Sequence, residues 1–346
     1  MTSSKQPDHR KADLEDWLAR VLGAAPSRIA PASADASFRR YFRVWRDGQT
    51  WVAMDAPPDK EDLGSYVRVA GILAGAGVNV PRVLASDLAQ GFLLLTDLGS
   101  RQYLDALRSG EDADALYGDA LAALVRFQAR TGTAAAVLPV YDASRLRQEM
   151  ELFPTWFLGR HLGLTLSAAE RSMLEGTFAA LERAALAQPQ VLVHRDYHSR
   201  NLMVCKDNPG ILDFQDAVVG PMSYDLVSLL KDCYITWPRE RVLGWVDRYL
   251  ALAGQSGLEL PPGSRSEFVR SFDLMGAQRH IKVLGIFARL WYRDGKAGYL
   301  ADLPRVLDYT LAATRSDPLL AELDQFLAER VVPAFPAAQA RELASP

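Results

Sequence analysis

Between residues 191 and 214 three short apolar runs, Val191-Leu192-Val193, Leu202 to Cys205 and Ile211-Leu212, are separated by segments dense in His, Asp, Arg and Asn. Runs this short and apolar read as buried strands, and polar groups gathered at the ends of such strands mark a site on a rigid scaffold. The first gap holds His194-Arg195-Asp196-Tyr197-His198-Ser199-Arg200-Asn201, and the last run leads straight into Asp213-Phe214. A fold that displays these groups presents Asp196, Asn201 and Asp213 from two adjacent strand ends.

On the N-terminal side, Leu14, Trp17, Leu18, Val21 and Leu22 recur at helical spacing and stop at Gly23, which predicts an amphipathic helix over Asp13 to Leu22. Two strand-like runs follow, Ser37 to Trp45 and Thr50 to Asp55. The Asp-Gly pair in the linking Arg46-Asp47-Gly48-Gln49 is a hairpin signal. Pro57 and Pro58 stop the second run, and a helix over Glu61 to Ala74 with strands over Arg82 to Ser86 and Gly91 to Thr96 completes a small covered sheet. After Gly99 long helical periods take over, at Leu116 to Arg130, Leu146 to Leu158, Ala168 to Ala187 and again from Met222 to about Leu327. The organisation expected is an α+β chain with a β-rich lobe over 1–97 and a larger, mostly helical lobe over 98–346.

The polar trio has the chemistry that phosphoryl transfer asks for. One carboxylate accepts the acceptor hydroxyl proton, a second binds a metal, and a neutral oxygen ligand completes the metal shell without adding charge. Asp196 fits the base, and Asn201 and Asp213 fit the metal ligands. The spacing H-x-D-x-x-x-x-N matches the catalytic loop of protein kinases, and Asp213-Phe214 matches the start of their metal-binding turn.

The segments VLVHRDYHSRNLMV and ILDFQDAVVGPMSYDL resemble the aminoglycoside and choline/homoserine kinase branch of the kinase fold. Gln215 stands where protein kinases have glycine, and no activation segment precedes Gly220-Pro221-Met222-Ser223-Tyr224-Asp225, so the protein-kinase branch is disfavoured. The resemblance implies a bilobal fold of the aminoglycoside-phosphotransferase type, ATP as co-substrate and Mg²⁺ as cofactor. It also implies a bracing role for Asp225, and His194 reads as a support of the loop through hydrogen bonds. A wider set of matches, SFRRYFRV, WVAMDAPPDKED, FLLLTDLG, LDFQDAVVGPMSYDLVSLLKDCY and QRHIKVLGIFARL, is similar to the bacterial anomeric amino-sugar kinases. That similarity implies phosphorylation of the anomeric hydroxyl of N-acetylmuramate and N-acetylglucosamine, in the recycling of cell-wall sugars.

The nucleotide side departs from the kinase pattern. Ser33-Ala34-Asp35-Ala36-Ser37-Phe38 contains no glycine, which leaves small residues and the Ser37 hydroxyl beside the phosphates. The expected basic residue of the following strand falls near Met54 or Asp55, neither of which is basic. Arg40 or Arg43 first, and Lys60 second, are the candidates to hold the triphosphate in its place. On an extended strand Arg40 and Phe42 share one face while Arg39, Tyr41 and Arg43 share the other. Thr96, Asp97 and Leu98 occupy the hinge where backbone groups hold an adenine.

On the acceptor side His198, Arg200 and Asp216 are candidates for substrate contact, each with a structural alternative. Glu149, Glu151, Trp156 and His161 form a run of which helical spacing lets only some face a sugar. Arg279, His280, Lys282, Arg289, Arg293 and Lys296 stand against Asp294 in a segment expected near the acceptor, and His280 is the contact singled out there. This balance suits a neutral or carboxylated sugar better than a polycationic antibiotic. An antibiotic, choline or homoserine kinase, and a pseudokinase that lacks the strand lysine and glycine loop, are the alternatives.

The charge balance of 39 Lys+Arg against 42 Asp+Glu gives no footprint for a nucleic acid. Cys205 and Cys233 form neither a metal pair nor a disulfide framework, the polar segment Met1 to Trp17 lacks an apolar signal core, and no apolar run is long enough to span a bilayer. The expectation is a cytoplasmic monomer whose partners are ATP and an amino sugar, with no nucleic acid and no membrane.

Overall fold

The computed structural model describes residues 8–34 and 38–343. The chain divides into two compact units, Met1–Glu111 with Arg200–Asp216, and Asp112–Ser199 with Ala217–Pro346. Against lobes expected over 1–97 and 98–346, the first unit runs on to Glu111 and takes back the segment 200–216.

The first unit opens with α1 (His9–Leu22), capped by the Asp8 carboxylate on the Lys11 N–H at 3.2 Å and closed by Gly23 at φ 77°. Its buried Leu14, Trp17 and Leu18 pack on Phe42, Val44, Ala53, Phe92 and Leu94, one face of a five-stranded sheet. Burial of each large side chain of this kind contributes ~1.5–3 kcal/mol. The strands are β1 (Arg28–Ala34), β2 (Arg40–Arg46), β3 (Gln49–Asp55), β4 (Val83–Asp87) and β5 (Phe92–Thr96), all antiparallel, in the order β1-β2-β3-β5-β4. The hairpin forms as expected: Asp47 and Gly48, at φ 49° and 74°, make a two-residue turn closed by the pair Arg46 and Gln49. β1 was not foreseen, because RIAPASA carries a proline and no alternation. It stands at the sheet edge, where a missing N–H is tolerated. Helix α2 (Leu63–Gly75) starts at the Asp62 cap and buries Tyr66 against the Phe214 ring, centroids 4.8 Å apart. A short helix, α3 (Tyr103–Arg108), follows the sheet.

The β interlude forms two separate pairs. In the second unit β6 (Gln190–Val193) pairs with β9 (Val218–Pro221), and in the first β7 (Leu202–Met203) pairs with β8 (Gly210–Ile211). The remaining helices of the second unit include α4 (Ala113–Arg130), α5 (Ala143–Met150), α6 (Ala168–Leu186), α7 (Tyr224–Leu230), α8 (Arg239–Ser256), α9 (Arg265–Tyr292) and α10 (Leu303–Ser316). The 28-residue α9 begins at a reciprocal cap between Ser264 and Glu267 and supplies Leu274, Ile281 and Leu284 to a core shared with Phe153, Phe157 and Phe178. The helix expected from Leu146 to Leu158 breaks after Met150 and resumes over Phe153–His161 as a wider, π-type run. Pro154, which has no N–H to donate, sits in its first turn. Among the described residues no helix is long and apolar enough to cross a membrane.

Candidate active site

The loop that follows β6 is fixed by buried acceptors. Asp225, fully buried at the start of α7, takes the His194 N–H on one carboxylate oxygen at 2.6 Å and the Arg195 N–H on the other at 2.9 Å. Arg195 has φ 79°, a left-handed conformation that costs a side-chain-bearing residue ~1–2 kcal/mol, and the paired hydrogen bonds offset it. Further along, the Tyr197 hydroxyl donates to the Ala120 carbonyl at 2.8 Å. The buried Asp232 accepts the Ser199 N–H at 2.9 Å and its hydroxyl at 2.5 Å. The His194 ring, itself buried, accepts the Asp196 N–H on Nδ1 at 3.3 Å. Asp196 is thereby held on both sides while its own side chain stays 47 % exposed.

Cations surround this carboxylate within the second unit. The Arg279 guanidinium, 4 % exposed, lies 3.9 Å from Asp196 and donates to the Arg195 carbonyl and the Tyr224 hydroxyl, both at 3.1 Å. Lys282, one helical turn on, reaches the Tyr224 hydroxyl and the Glu149 carboxylate, each at 2.9 Å. Glu149 also binds the Arg195 guanidinium and the Tyr141 hydroxyl. Burial raises the Asp196 carboxyl, but Arg279, His198, Lys282 and Arg195 outweigh it and hold the group at about 2, with water at its exposed edge screening part of their pull. Glu149 is likewise drawn below its ordinary value, burial being overcome by Lys282, Arg195 and the Tyr141 hydroxyl.

Within the first unit, β7 and β8 bring Asn201 beside Asp213. The Leu212 N–H donates to the Asn201 carbonyl at 2.9 Å, and the Asn201 carboxamide Nδ2 lies 3.4 Å from Asp213 Oδ2. Asp213 has φ 63° and accepts the Gln215 carboxamide on Oδ1 at 2.9 Å. The same oxygen faces the Arg39 guanidinium at 3.3 Å, while Arg39 Nε lies 3.9 Å from Glu61. A carboxylate and a carboxamide oxygen are hard donors of the kind that binds Mg²⁺, and the amide can present either its nitrogen or its oxygen to Asp213 by turning over.

The other expected residues scatter. Arg40 is committed to two carboxylates, with Nε on Asp55 at 2.8 Å and the fork on Asp8. Arg43 is committed to Asp97, Nε to Oδ2 at 2.8 Å, and to the Gly99 carbonyl at 2.6 Å. Lys60 is half exposed beside Asp59. Thr96 accepts the Arg82 N–H on its hydroxyl at 2.9 Å, and the Leu98 side chain abuts Gly210. Ser37 lies outside the described residues. Arg200 and Asp216 are exposed, Asp216 within 3.2 Å of the Gln215 amide. His198 sets its ring edge-on to Tyr234, centroids 5.3 Å apart.

His280, expected at the acceptor, is completely buried. Its ring stacks on Tyr309 at 4.8 Å and its Nε2 meets the Lys231 carbonyl at 2.9 Å, and burial pushes its pKa down to about 3. Helical rotation explains the displacement, since Arg279 and Lys282 share the face of α9 that meets the loop and position 280 points elsewhere. His161 and Phe157 belong to the core, and Trp156 packs at its margin.

Residues 28–263 match the model of the phosphotransferase enzyme family described as APH. The chain belongs to that family. This phosphotransferase is 52 % identical over 304 residues to a Pseudomonas aeruginosa protein named N-acetylmuramate/N-acetylglucosamine kinase, an alignment that covers 88 % of each chain. Proteins of the same name from Pseudomonas putida and Neisseria meningitidis are 46 % and 45 % identical, each over 93 % of this chain and 98 % and 96 % of their own. Among solved structures, a choline/ethanolamine kinase family protein from Mesorhizobium loti shares the fold with TM-score 0.62 at 15 % identity, over 90 % of this phosphotransferase and 97 % of that chain. The GDP complex of aminoglycoside 2'-phosphotransferase-IIIa matches with TM-score 0.60 at 18 % identity, over 87 % and 98 %. The family is one of phosphotransferases, so the chain is an enzyme that uses a phosphoryl donor.

One residue central to this geometry, Arg39, is not among the candidates that the sequence offers for the phosphates. Arg39 was grouped with Arg43, but it precedes β2 and its partners Glu61 and Asp213 lie far along the chain. The commitment of Arg40 was legible: counting back from the Asp47-Gly48 turn along both strands sets Arg40 directly opposite Asp55.

Proposed function

We propose that this enzyme transfers the γ-phosphoryl group of ATP to the anomeric hydroxyl of N-acetylmuramate and N-acetylglucosamine, in the recycling of cell-wall sugars. The observation that carries the acceptor is the 52 % identity to a kinase of that name across 88 % of both chains. The surroundings of Asp196 agree with it. Arg195, Arg279 and Lys282 stand there against Asp196 and Glu149, a balance without the excess of carboxylates that a polycationic antibiotic calls for and better suited to a neutral or carboxylated sugar.

Asp196 acts on the acceptor hydroxyl. A carboxylate held near 2 is ionised at neutral pH and a weak base, so its main work is to orient the hydroxyl and to take its proton late, when bond formation has made that proton acidic. Asn201 and Asp213 would hold Mg²⁺, which supplies charge neutralisation at the phosphates when bound. Arg39 replaces Arg40 and Arg43 as the residue assigned to the triphosphate, because its carboxylate partner Asp213 is the proposed metal ligand, whereas Arg40 and Arg43 are drawn to Asp55 and Asp97. A cytoplasmic site of action is supported by Cys205 and Cys233, both free thiols.

The test is ADP release with N-acetylmuramate, N-acetylglucosamine, choline, homoserine and kanamycin as acceptors, and ³¹P NMR of the product. Turnover with the two amino sugars and a phosphate coupled to the anomeric proton are expected. Turnover confined to kanamycin or choline, or a product that keeps its reducing end, rejects the reading.

A further inference from the structure

Around Asp196 the second unit contains a closed circuit of polar contacts that reaches back to its own starting point. Arg279 faces Asp196 at 3.9 Å and donates to the Tyr224 hydroxyl at 3.1 Å; Lys282 donates to the same hydroxyl at 2.9 Å and to Glu149 at 2.9 Å. Glu149 binds the guanidinium of Arg195, the residue that precedes Asp196 in the chain. Arg279 closes the circuit a second way by donating to the Arg195 carbonyl at 3.1 Å. We propose that Arg279 is a positioning residue for phosphoryl transfer: it sets the direction of the Asp196 carboxylate, and Lys282 and Glu149 keep it in place.

Three observations support this role over simple packing. A guanidinium 4 % exposed is costly to desolvate, and here only part of its fork is spent on a carbonyl and a hydroxyl, neither of which neutralises it. The carboxylate nearest to it is that of Asp196. The peptide on which Arg279 pulls is that of Arg195, whose left-handed φ of 79° sets the direction in which the chain enters Asp196. Arg279 thus fixes both the charge facing the carboxylate and the backbone that carries it, whereas Lys282 is neutralised by Glu149 and acts on Asp196 only at longer range. A misplacement of a reacting group by about 1 Å costs roughly 10²-fold in rate, which is the scale on which loss of this contact should register.

The inference rests on Asp196 being the base, so the experiment includes a control for that. The groups that face Asp196 are Arg279 and Lys282 from α9, His198 and Arg195 from its own loop, and Asp225 from α7. Four proteins are compared, wild type, Arg279→Met, Arg279→Lys and Asp196→Asn, for kcat, nucleotide KM, nucleotide Kd and the pH profile of kcat. Arg279→Met is expected to lose roughly 10²-fold in kcat with nucleotide KM and Kd within twofold of wild type. Its acid limb should move to higher pH, because the cation that favours the ionised carboxylate is gone. Arg279→Lys keeps the charge but not the fork, and should lose at least about tenfold in kcat with the acid limb of wild type. If Arg279→Met does not fold, Arg279→Lys decides, and wild-type kcat in it overturns the proposal. Unchanged kcat and pH profile in a folded Arg279→Met, beside an inactive Asp196→Asn, overturn the proposal and leave the base assignment standing. Full activity in Asp196→Asn instead rejects the base assignment, and the role of Arg279 with it.

Discussion

Arg39 lies 3.3 Å from Asp213, its guanidinium facing the carboxylate oxygen that also accepts the Gln215 amide. Its side chain is 9 % exposed and a second carboxylate, Glu61, stands 3.9 Å away. If the metal ligand and the phosphate-holding cation are this pair, Arg39→Ala should raise the nucleotide KM by about 10–100-fold, the loss of one charge-assisted contact of ~1.5–3 kcal/mol. Arg40→Ala and Arg43→Ala should leave that KM within about twofold and lower Tm instead, because each removes a partner of a buried carboxylate, Asp55, which keeps Arg10, or Asp97. Steady-state kinetics with thermal melts on the three variants decides; an unchanged KM in Arg39→Ala sinks the assignment.

Asp196 and Asp213 are expected to fail in different ways. Asp196→Asn should lower kcat by roughly 10²–10⁴-fold while the protein still binds nucleotide, since its task lies with the acceptor hydroxyl. Asp213→Ala should weaken Mg²⁺-dependent nucleotide binding and turnover together. Titration calorimetry with a non-hydrolysable nucleotide, with and without Mg²⁺, separates them, and wild-type affinity in Asp213→Ala would falsify its role as a metal ligand.

The loop anchor Asp225 carries a pH signature. Burial, the largest influence, lifts its carboxyl to about 7 against the N–H bonds of His194 and Arg195 and the charge of Arg279, and Asp196 adds to the rise. An aspartate in the unfolded chain titrates near ~3.9. Between the two values the native state keeps a proton that the unfolded chain has released, so this group's contribution to stability falls as pH rises from about 4 to about 7, by at most about 1.4 kcal/mol per unit, and is level above that. Asp225→Asn should flatten that part of the Tm profile and lower Tm throughout, because a carboxamide accepts with one oxygen where the carboxylate uses two. A Tm profile with the wild-type slope counts against the titration.

The crossing of α9 over the Phe153–His161 run depends on Gly285. A Cβ there would lie 2.4 Å from the Leu152 carbonyl carbon and 2.6 Å from its oxygen, backbone atoms that cannot step aside. Gly285→Ala is expected to cost ~1–3 kcal/mol. Gly176→Ala, on the exposed side of α6 with nothing within 4 Å of the added carbon, should gain ~0.5–1 kcal/mol. Chemical denaturation of both variants is the check, and equal stabilities contradict the packing argument.

Much of this was legible because its causes are local. The Asp47-Gly48 turn fixed the hairpin, since two consecutive left-handed residues suit Asp-Gly and few other pairs. Gly23 ended the first helix for the same reason. The strands that escaped, Arg28–Ala34 and Val218–Pro221, contain proline or glycine and little alternation, and they exist because β2 and β6 supply their hydrogen bonds. The helix drawn through Leu158 breaks after Met150, the residue whose carbonyl Pro154, four positions on and without an N–H, cannot bond, a local breaker that the apolar period masked.

The sequence by itself determined which groups are on offer, a carboxylate, a carboxamide and a second carboxylate at the spacing on which the proposed phosphoryl transfer rests, within a chain whose apolar periods specify a small sheet and a helical unit. Which cations serve those groups was decided only by tertiary structure. Arg39 reaches Asp213 across 174 residues of chain and Arg279 reaches the Arg195 carbonyl across 84, while the nearer-looking candidates Arg40, Arg43 and His280 are drawn to Asp55, Asp97 and the Lys231 carbonyl. A long cationic side chain goes to whichever acceptor the packed backbone leaves within reach, and that is set by how strands and helices are packed against one another and not by spacing along the chain.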